Sequence, residues 1–569
     1  MAVAVVWIVV AALTIAAGYA AARRGADLVF DVRESLTFDT LVDPLEEIPF
    51  EVSDAQDEFQ AAEIHFARPW LLPVRAMPVL GRQLRAAEGM VRSADEVLGA
   101  AVVAGGRLEG VLSQDWSVPE NRVVILDELH SILSDAKDAV LGVDLGPGEA
   151  LFGPIHRYRA EIAGEIAQLE DVLVRADAAV GGLAGFLRGP SRYLFFAANN
   201  AEMRAGSGMF LSMGVLTTDN GRLSLAEVGS VVDVKVTGDV PVDPDVATLW
   251  SQVDTSYSWR NLGFTPRFDA TAQQAAAMWE AAGKEPVDGV IVADAEVLFA
   301  LASAMGPVEF AGSTMTADDL RYYVLEEQYR RFGGFDDDAI RRDLLGVLAA
   351  RVLGAFDSGD FDAAALMAGL QSAASGRHLL LWSSDPEQEA AWEAAGVAGV
   401  LGPDSMMVSV INRGGNKLDS FLNADVRLEV AAAGPSDGTT RAKFRVALEN
   451  TVAEDEIEYI AGPHPSLDTV AGEYRGLLVL NLPGWVKDFT ALSGAETSVG
   501  GPDGATLQYA TPVSVKRGET IVYEYEFTLP AHGEIEVAAS ARLPAAMWEV
   551  VTGRERLVFS DAAATVVVW

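Results

Sequence analysis

The residues of this chain best placed to do chemistry lie between Arg192 and Leu225, in RYLFFAANNAEMRAGSGMF followed by LSMGVLTTDNGRLSL. An apolar, β-rich run ends at a polar corner made of Asn199, Asn200 and Glu202. Arg204 comes next, on the glycine-bearing turn Ala205-Gly206-Ser207-Gly208. A guanidinium beside the backbone N–H groups of such a turn is one way to hold an anion. The same pattern also describes a sheet corner whose asparagines cap backbone groups and whose arginine lies on the surface. Asp219-Asn220-Gly221 closes the second run, and an Asx-Gly pair between two alternating apolar runs predicts a β-hairpin.

A second cluster is INRGGNKLD, Ile411 to Asp419, where Asn412, Asn416, Lys417 and Asp419 surround Gly414 and Gly415. Two glycines with a lysine suit an anion-contacting loop, but phosphate-loop spacing is missing. A turn whose Asn and Asp side chains bond the local backbone fits better. Asp385 and Glu387 in SSDPEQ read as a capped helix start. Trp382 and Trp392 read as core. Ser207 sits in AGSGM, which is not the GxSxG of a serine nucleophile.

Composition narrows the chemistry. There are no cysteines and only six histidines in 569 residues, so thiolate metal sites, disulfides and cysteine nucleophiles are excluded, and no paired-histidine spacing suggests zinc. Acidic residues outnumber basic ones, 82 to 42, for a formal net charge of −40. Such a surface repels nucleic acid, and an anionic ligand has to meet a local basic site. The length predicts two to four domains.

The elements that position these residues follow from periodicity. Ala2 to Ala22 is uncharged and apolar, about the length of a bilayer-spanning helix, and predicts an uncleaved transmembrane anchor over residues 1–24. Ala20-Ala21-Ala22 would also pass as a cleavage site. Arg23 and Arg24 follow the span, which by charge alone places the body in the cytoplasm; a start codon assigned too far downstream would give the same picture. Residues 50–188 carry helical spacing and predict a hairpin or small bundle, interrupted at Pro69, Pro73 and Pro78. Strands and helices alternate over 190–430, predicting an α/β core, with VDGVIVAD a buried strand and Ala295 to Ala304 a helix. Short alternating strands over 431–569 predict an immunoglobulin-like β-sandwich. The whole is a multi-domain α+β chain.

RYLFFAANNAEMRAGSGMF, TTDNGRL, VDGVIVAD, RHLLLWSSDPEQ and INRGGNKLD occur in an order that resembles the bacterial family catalogued only as a domain of unknown function, number 4012. Its members are typically envelope-associated, with an N-terminal membrane anchor, and common in actinobacteria. The resemblance implies a body outside the cytoplasmic membrane and makes Asn199, Asn200, Glu202 and the Asn412 to Asp419 loop family hallmarks, which offers packing of that loop against the Asn199-Asn200-Glu202 corner as an alternative to the local turn. It names no activity.

The order of elements between Arg192 and Phe356 is also similar, more distantly, to the LytR-CpsA-Psr domain, whose enzymes transfer a glycopolymer from a polyprenyl pyrophosphate carrier onto the cell wall. That likeness implies that Arg204, Arg330, Arg331, Arg341 and Arg342 converge on a pyrophosphate. It also implies that an acid among Glu227, Asp233 and Asp336 to Asp338 holds Mg²⁺ at the leaving group. The chain departs from that family in two places: Ser207 stands where an acid is expected, and the Pro-Arg-Asp after the second strand is missing. Three readings follow: a glycopolymer phosphotransferase, a non-catalytic binder of a polyprenyl-linked precursor or envelope polysaccharide, and a structural or assembly protein of the envelope. No nucleic acid partner is expected in any of them.

Overall fold

The computed structural model describes residues 2–35, 48–310, 312–334, 337, 354, 356, 358–359, 361–432, 438–492 and 496–569. The chain divides into two compact units, one of residues 1–116 and 120–185, the other of residues 117–119 and 186–569.

The first unit is helical: α1 (Ala2–Ser35), α2 (Ile48–Phe66), α3 (Leu72–Arg75), α4 (Leu80–Leu112), α5 (Pro119–Leu141) and most of α6 (Gly153–Arg188). Pro69 and Pro73 stand in the first turns of a short 3₁₀ turn and of α3, where a missing N–H costs nothing. The expected membrane span is corrected here: among the described residues no helix is long and apolar enough to cross a membrane. Residues 2–22 instead open the 34-residue α1, which runs on through Arg23, Arg24, Asp27, Asp31, Arg33 and Glu34. One face of α1 is used in helix packing, with Ala11 and Ala21 buried in a core with Phe59, Phe66 and Leu84. A Cβ added at Gly18 would stand 2.8 Å from the Phe66 ring. The Trp7 indole donates to the Trp70 carbonyl at 2.8 Å, that of Trp70 to Thr14 Oγ1 at 3.0 Å, and Arg24 pairs with Glu58. Hydropathy reports that a helix is apolar, not what covers it.

The second unit opens with a five-stranded sheet in the order β3-β2-β1-β4-β7. Its strands are β1 (Ser191–Met203), β2 (Gly208–Asp219), β3 (Arg222–Ser230), β4 (Gly289–Ala293) and β7 (Leu379–Ser383). A separate small hairpin joins β5 (Val308–Phe310) to β6 (Ser313–Met315). The Asx-Gly turn joins β2 to β3, with Asn220 and Gly221 both at positive φ. Only the β1–β4 pair is parallel; β1–β2, β2–β3 and β4–β7 are antiparallel. Helices cover both faces, Phe268–Ala281 on one and Ala295–Met305 with Ala363–Ser375 on the other. At Gly289 the strands come so close that a Cβ would lie 2.2 Å from the Tyr193 ring and 2.3 Å from the Trp382 carbonyl oxygen.

Two six-stranded sheets follow. One has the order β12-β15-β10-β9-β17-β18, the other β13-β14-β11-β8-β16-β19. The strands are β8 (Ser405–Asn412), β9 (Leu422–Val430), β10 (Thr439–Asn450), β11 (Tyr474–Pro483), β12 (Lys487–Ala491) and β13 (Val499–Asp503). They continue with β14 (Thr506–Val515), β15 (Thr520–Pro530), β16 (Glu534–Val537), β17 (Met547–Val551), β18 (Arg556–Ser560) and β19 (Thr565–Val568). Side chains of both sheets, Val408 and Tyr474 facing Phe444 and Trp548, share one core. This sandwich is larger than the immunoglobulin type, which has seven to nine strands, and it contains the parallel pairs β16–β8 and β17–β9.

The sandwich also begins earlier than residue 431, because β8 and β9 belong to it. Every residue of β8 is buried. Its inner face lines the sandwich, while Ile411, with Leu477 and Val479 of β11, packs on Trp250 and Phe264. A strand buried on both faces reads as a continuous apolar run, as MMVSVI does, and gives no alternation to mark it as sandwich.

Candidate functional site

Burial decides the fate of Arg204. The side chain leaves the end of β1 at the β1–β2 turn, held by its own amide donating to the Ser207 carbonyl at 2.8 Å. Its Nε donates to the Arg260 carbonyl at 2.9 Å, and Nη1 donates to the Met203 and Asn412 carbonyls at 3.1 and 2.9 Å. The guanidinium lies 5.5 Å from the Phe264 ring centroid. Burial pushes its pKa down to about 10, against the pull of Glu202 and Asp419, so it stays charged at neutral pH. Nε and Nη1 are thus committed to main-chain oxygens.

The Ile411–Asp419 loop packs against the Asn199–Glu202 corner. Lys417 Nζ donates to Glu202 Oε1, with both side chains nearly buried. The ammonium sits 5.5 Å from the Tyr329 ring centroid and 5.0 Å from that of Tyr459, a cation–π arrangement. Asn199 accepts from the Ala201 amide and the Tyr329 hydroxyl at 3.1 and 3.2 Å. Asp419 receives three donors: the Met203 amide at 3.0 Å, Asn412 Nδ2 at 2.8 Å and the Tyr474 hydroxyl at 2.9 Å. Burial raises the Asp419 carboxyl to about 6 even so, because desolvation outweighs those bonds. The Gly414 amide donates to Asn412 Oδ1 at 2.9 Å, and Gly415 takes φ +63°, so the two glycines fold the loop back on itself. Asn416 Nδ2 donates to the Glu473 carbonyl at 2.9 Å. Glu202 and Asp419 face Lys417 and Arg204 within one buried cluster, and the buried Arg542 guanidinium also acts on Asp419.

A neighbouring network hangs from Asn200. Its Nδ2 donates to Asp294 Oδ2 at 2.6 Å and to the Ala541 carbonyl at 3.0 Å. Asp294 also contacts His378 Nδ1 at 2.7 Å, and its Oδ1 accepts the Glu296 amide as the N-cap of Ala295–Met305. Asp294 lifts the His378 pKa above its ordinary value, against the burial that lowers it. Sequence reasoning missed His378, Asp294, Tyr474, Tyr329 and Tyr459. The available signals were a lone histidine at the head of a strand in RHLLLW and a tyrosine opening the apolar run YRGLLVLNLP.

The expected pyrophosphate and metal sites do not assemble among the described residues. Arg330 donates to Glu456 at 3.3 and 2.8 Å and to Glu326 at 2.8 Å, and these carboxylates hold it above its usual range. The Arg331 guanidinium lies 5.7 Å from the Phe332 ring centroid. Arg341, Arg342, Asp336 and Asp338 lie outside the described residues. Asp337 caps the Gly334 amide at 2.9 Å. Glu227 pairs with Lys284 at 2.7 Å, and Asp233 lies on a short 3₁₀ turn after β3. Among the described residues no group of three or more His, Asp or Glu side chains could hold a metal ion.

Residues 188–329 match the family model described as Protein of unknown function (DUF4012). The chain carries a DUF4012 domain. The match spans β1 to the helix holding Arg330, and thus includes Asn199, Asn200, Glu202 and Arg204 but not the Ile411–Asp419 loop. No curated protein and no solved structure matches the chain. The likeness to the LytR-CpsA-Psr domain rests on motif order alone.

Proposed function

We propose that this DUF4012 protein is a non-catalytic structural and assembly protein of the bacterial cell envelope. The envelope setting comes from the family resemblance, and the non-catalytic part comes from the geometry. One observation carries it: Arg204, the arginine on which an anion site would be built, donates to three main-chain carbonyls and is almost wholly buried. An anion could take Nε or Nη1 only by breaking those bonds and leaving buried carbonyl oxygens without donors, which is costly. In this reading the hallmark residues fasten β1 to the sandwich, and the outer surfaces of the protein meet its partners.

The test is binding of undecaprenyl pyrophosphate and undecaprenyl phosphate to the purified full chain by calorimetry, with and without Mg²⁺. The expected result is no saturable binding to wild type. Micromolar binding lost in Arg330→Ala, with the variant as stable as wild type, would replace this reading with handling of a polyprenyl-linked glycopolymer. Mg²⁺ dependence of that binding would favour the transferase.

A further inference from the structure

Among the described residues Lys417 is the only buried lysine, and its surroundings hold more than an ion pair needs. Lysine is almost never buried without a partner. Here Nζ donates to Glu202 Oε1, and the Tyr329 and Tyr459 rings flank it with centroids 5.5 and 5.0 Å away. Asn199 Nδ2 donates to the same oxygen, Glu202 Oε1, at 3.3 Å. One carboxylate oxygen therefore touches both a primary amine and a carboxamide nitrogen. That places Lys417 Nζ within two hydrogen-bond lengths of Asn199 Nδ2.

The carbonyl end of that carboxamide is held as well. Asn199 Oδ1 accepts from the Ala201 amide at 3.1 Å and from the Tyr329 hydroxyl at 3.2 Å. Two donors on one carbonyl oxygen polarise it and stabilise the negative charge that develops when a nucleophile adds to the carbon. The other carboxamides of the loop are committed elsewhere, Asn412 Nδ2 to Asp419 at 2.8 Å and Asn416 Nδ2 to the Glu473 carbonyl at 2.9 Å. An ion pair alone would require neither Asn199 nor its two donors.

We propose that Lys417 and Asn199 join in an intramolecular isopeptide bond, with Glu202 as the proton carrier. Glu202 takes one proton from the Lys417 ammonium, a transfer that costs less in a water-poor site than in water because it removes two charges. The amine lone pair then attacks Asn199 Cγ, forming the new C–N bond, while the carbonyl π electrons move onto Oδ1. Glu202 gives its proton to Nδ2, and the Cγ–Nδ2 bond breaks. Nζ releases a second proton, which Glu202 passes to the departing ammonia, so that ammonium leaves and Glu202 is a carboxylate again. No oxidant, metal or cofactor is consumed. The bond forms once in each chain and is not turnover, so it is compatible with a structural role and does not depend on it. It links the end of β1 to the loop after β8 in a chain that has no cysteine for a disulfide, and closing a long loop covalently restricts the unfolded chain.

The test is intact-mass spectrometry of the purified, denatured full chain, followed by peptide mapping. Wild type is expected to be lighter than its sequence by one ammonia, with the Asn199 peptide joined to the Lys417 peptide. Lys417→Arg and Glu202→Gln are each expected to carry the full mass of their sequences and to give the two peptides separately. A wild-type chain of full mass would overturn the proposal, and this reading needs no variant to fold. Loss of water with Lys417 joined to Glu202 would overturn the assignment to Asn199. Loss of ammonia that persists in Lys417→Arg, as a succinimide at Asn220-Gly221 would give, would overturn it too, as would a Glu202→Gln chain that cross-links like wild type. None of these outcomes depends on the pyrophosphate experiment.

Discussion

Arg204 and Arg330 were expected to hold the same phosphate, and the structure gives them opposite circumstances. Arg204 is buried, bonded to neutral carbonyl oxygens and balanced at a distance by Glu202 and Asp419. Arg330 is at the rim, about a third exposed, and paired with Glu456 and Glu326. The same side chain therefore acts as a framework part in one place and in the other as a rim ion pair, with Glu326 exposed and Glu456 nearly buried. Charge type alone does not separate the two; burial and the nature of the acceptors do.

The largest effect should come from the buried side of that comparison. Lys417→Met leaves Glu202 without its partner in a dry site, and is expected to cost about 3–5 kcal/mol in urea unfolding. Adding Glu202→Gln should recover a large part of that loss; no recovery would separate the two side chains energetically. Tyr474→Phe removes one donor from the buried Asp419 carboxylate and is expected to cost about 1.5–3 kcal/mol by the same measurement. Arg330→Ala on the rim is expected to cost about 1–2 kcal/mol, because Glu456 loses its partner in a nearly buried place while the Glu326 pair is screened. A loss as large as that for Lys417→Met would erase the contrast.

A separate effect concerns pH. The Glu389 carboxyl is raised to about 7 by partial burial, with help from Glu393 and Asp269, although it accepts the Ser383 amide at 2.7 Å. An unfolded glutamate titrates near about 4.3. The folded chain thus holds this proton more tightly than the unfolded one, and stability falls as pH rises through that window. Glu389→Gln should make the fall between pH of about 4 and about 7 shallower, measured as the change in thermal midpoint. An unchanged slope would mean that Glu389 is not perturbed.

The sequence made some of this legible. Asp219-Asn220-Gly221 marked the β2–β3 hairpin through its turn chemistry, and VDGVIVAD marked β4. The pairing of the Asn199-Asn200-Glu202 corner with the Ile411–Asp419 loop stood among the alternatives through the family resemblance, in which both are hallmarks. The carbonyl partners of Arg204 were not legible, since Arg260 and Asn412 lie 56 and 208 residues away and main-chain oxygens leave no trace in residue type. The start of the sandwich was hidden because β8 is covered on both faces. The helix at residues 2–22 was misread because its apolar length says nothing about Phe59 and Phe66, which pack against it.

The measurement that tests the central claim most directly is hydrogen–deuterium exchange of Arg204→Met beside wild type. If Arg204 fastens β1 to the sandwich, amides of residues 199–208 and 411–419 should lose protection together, and the unfolding midpoint should fall. Unchanged protection and stability, with loss of affinity for a polyprenyl pyrophosphate, would contradict the account and make Arg204 a ligand-binding residue.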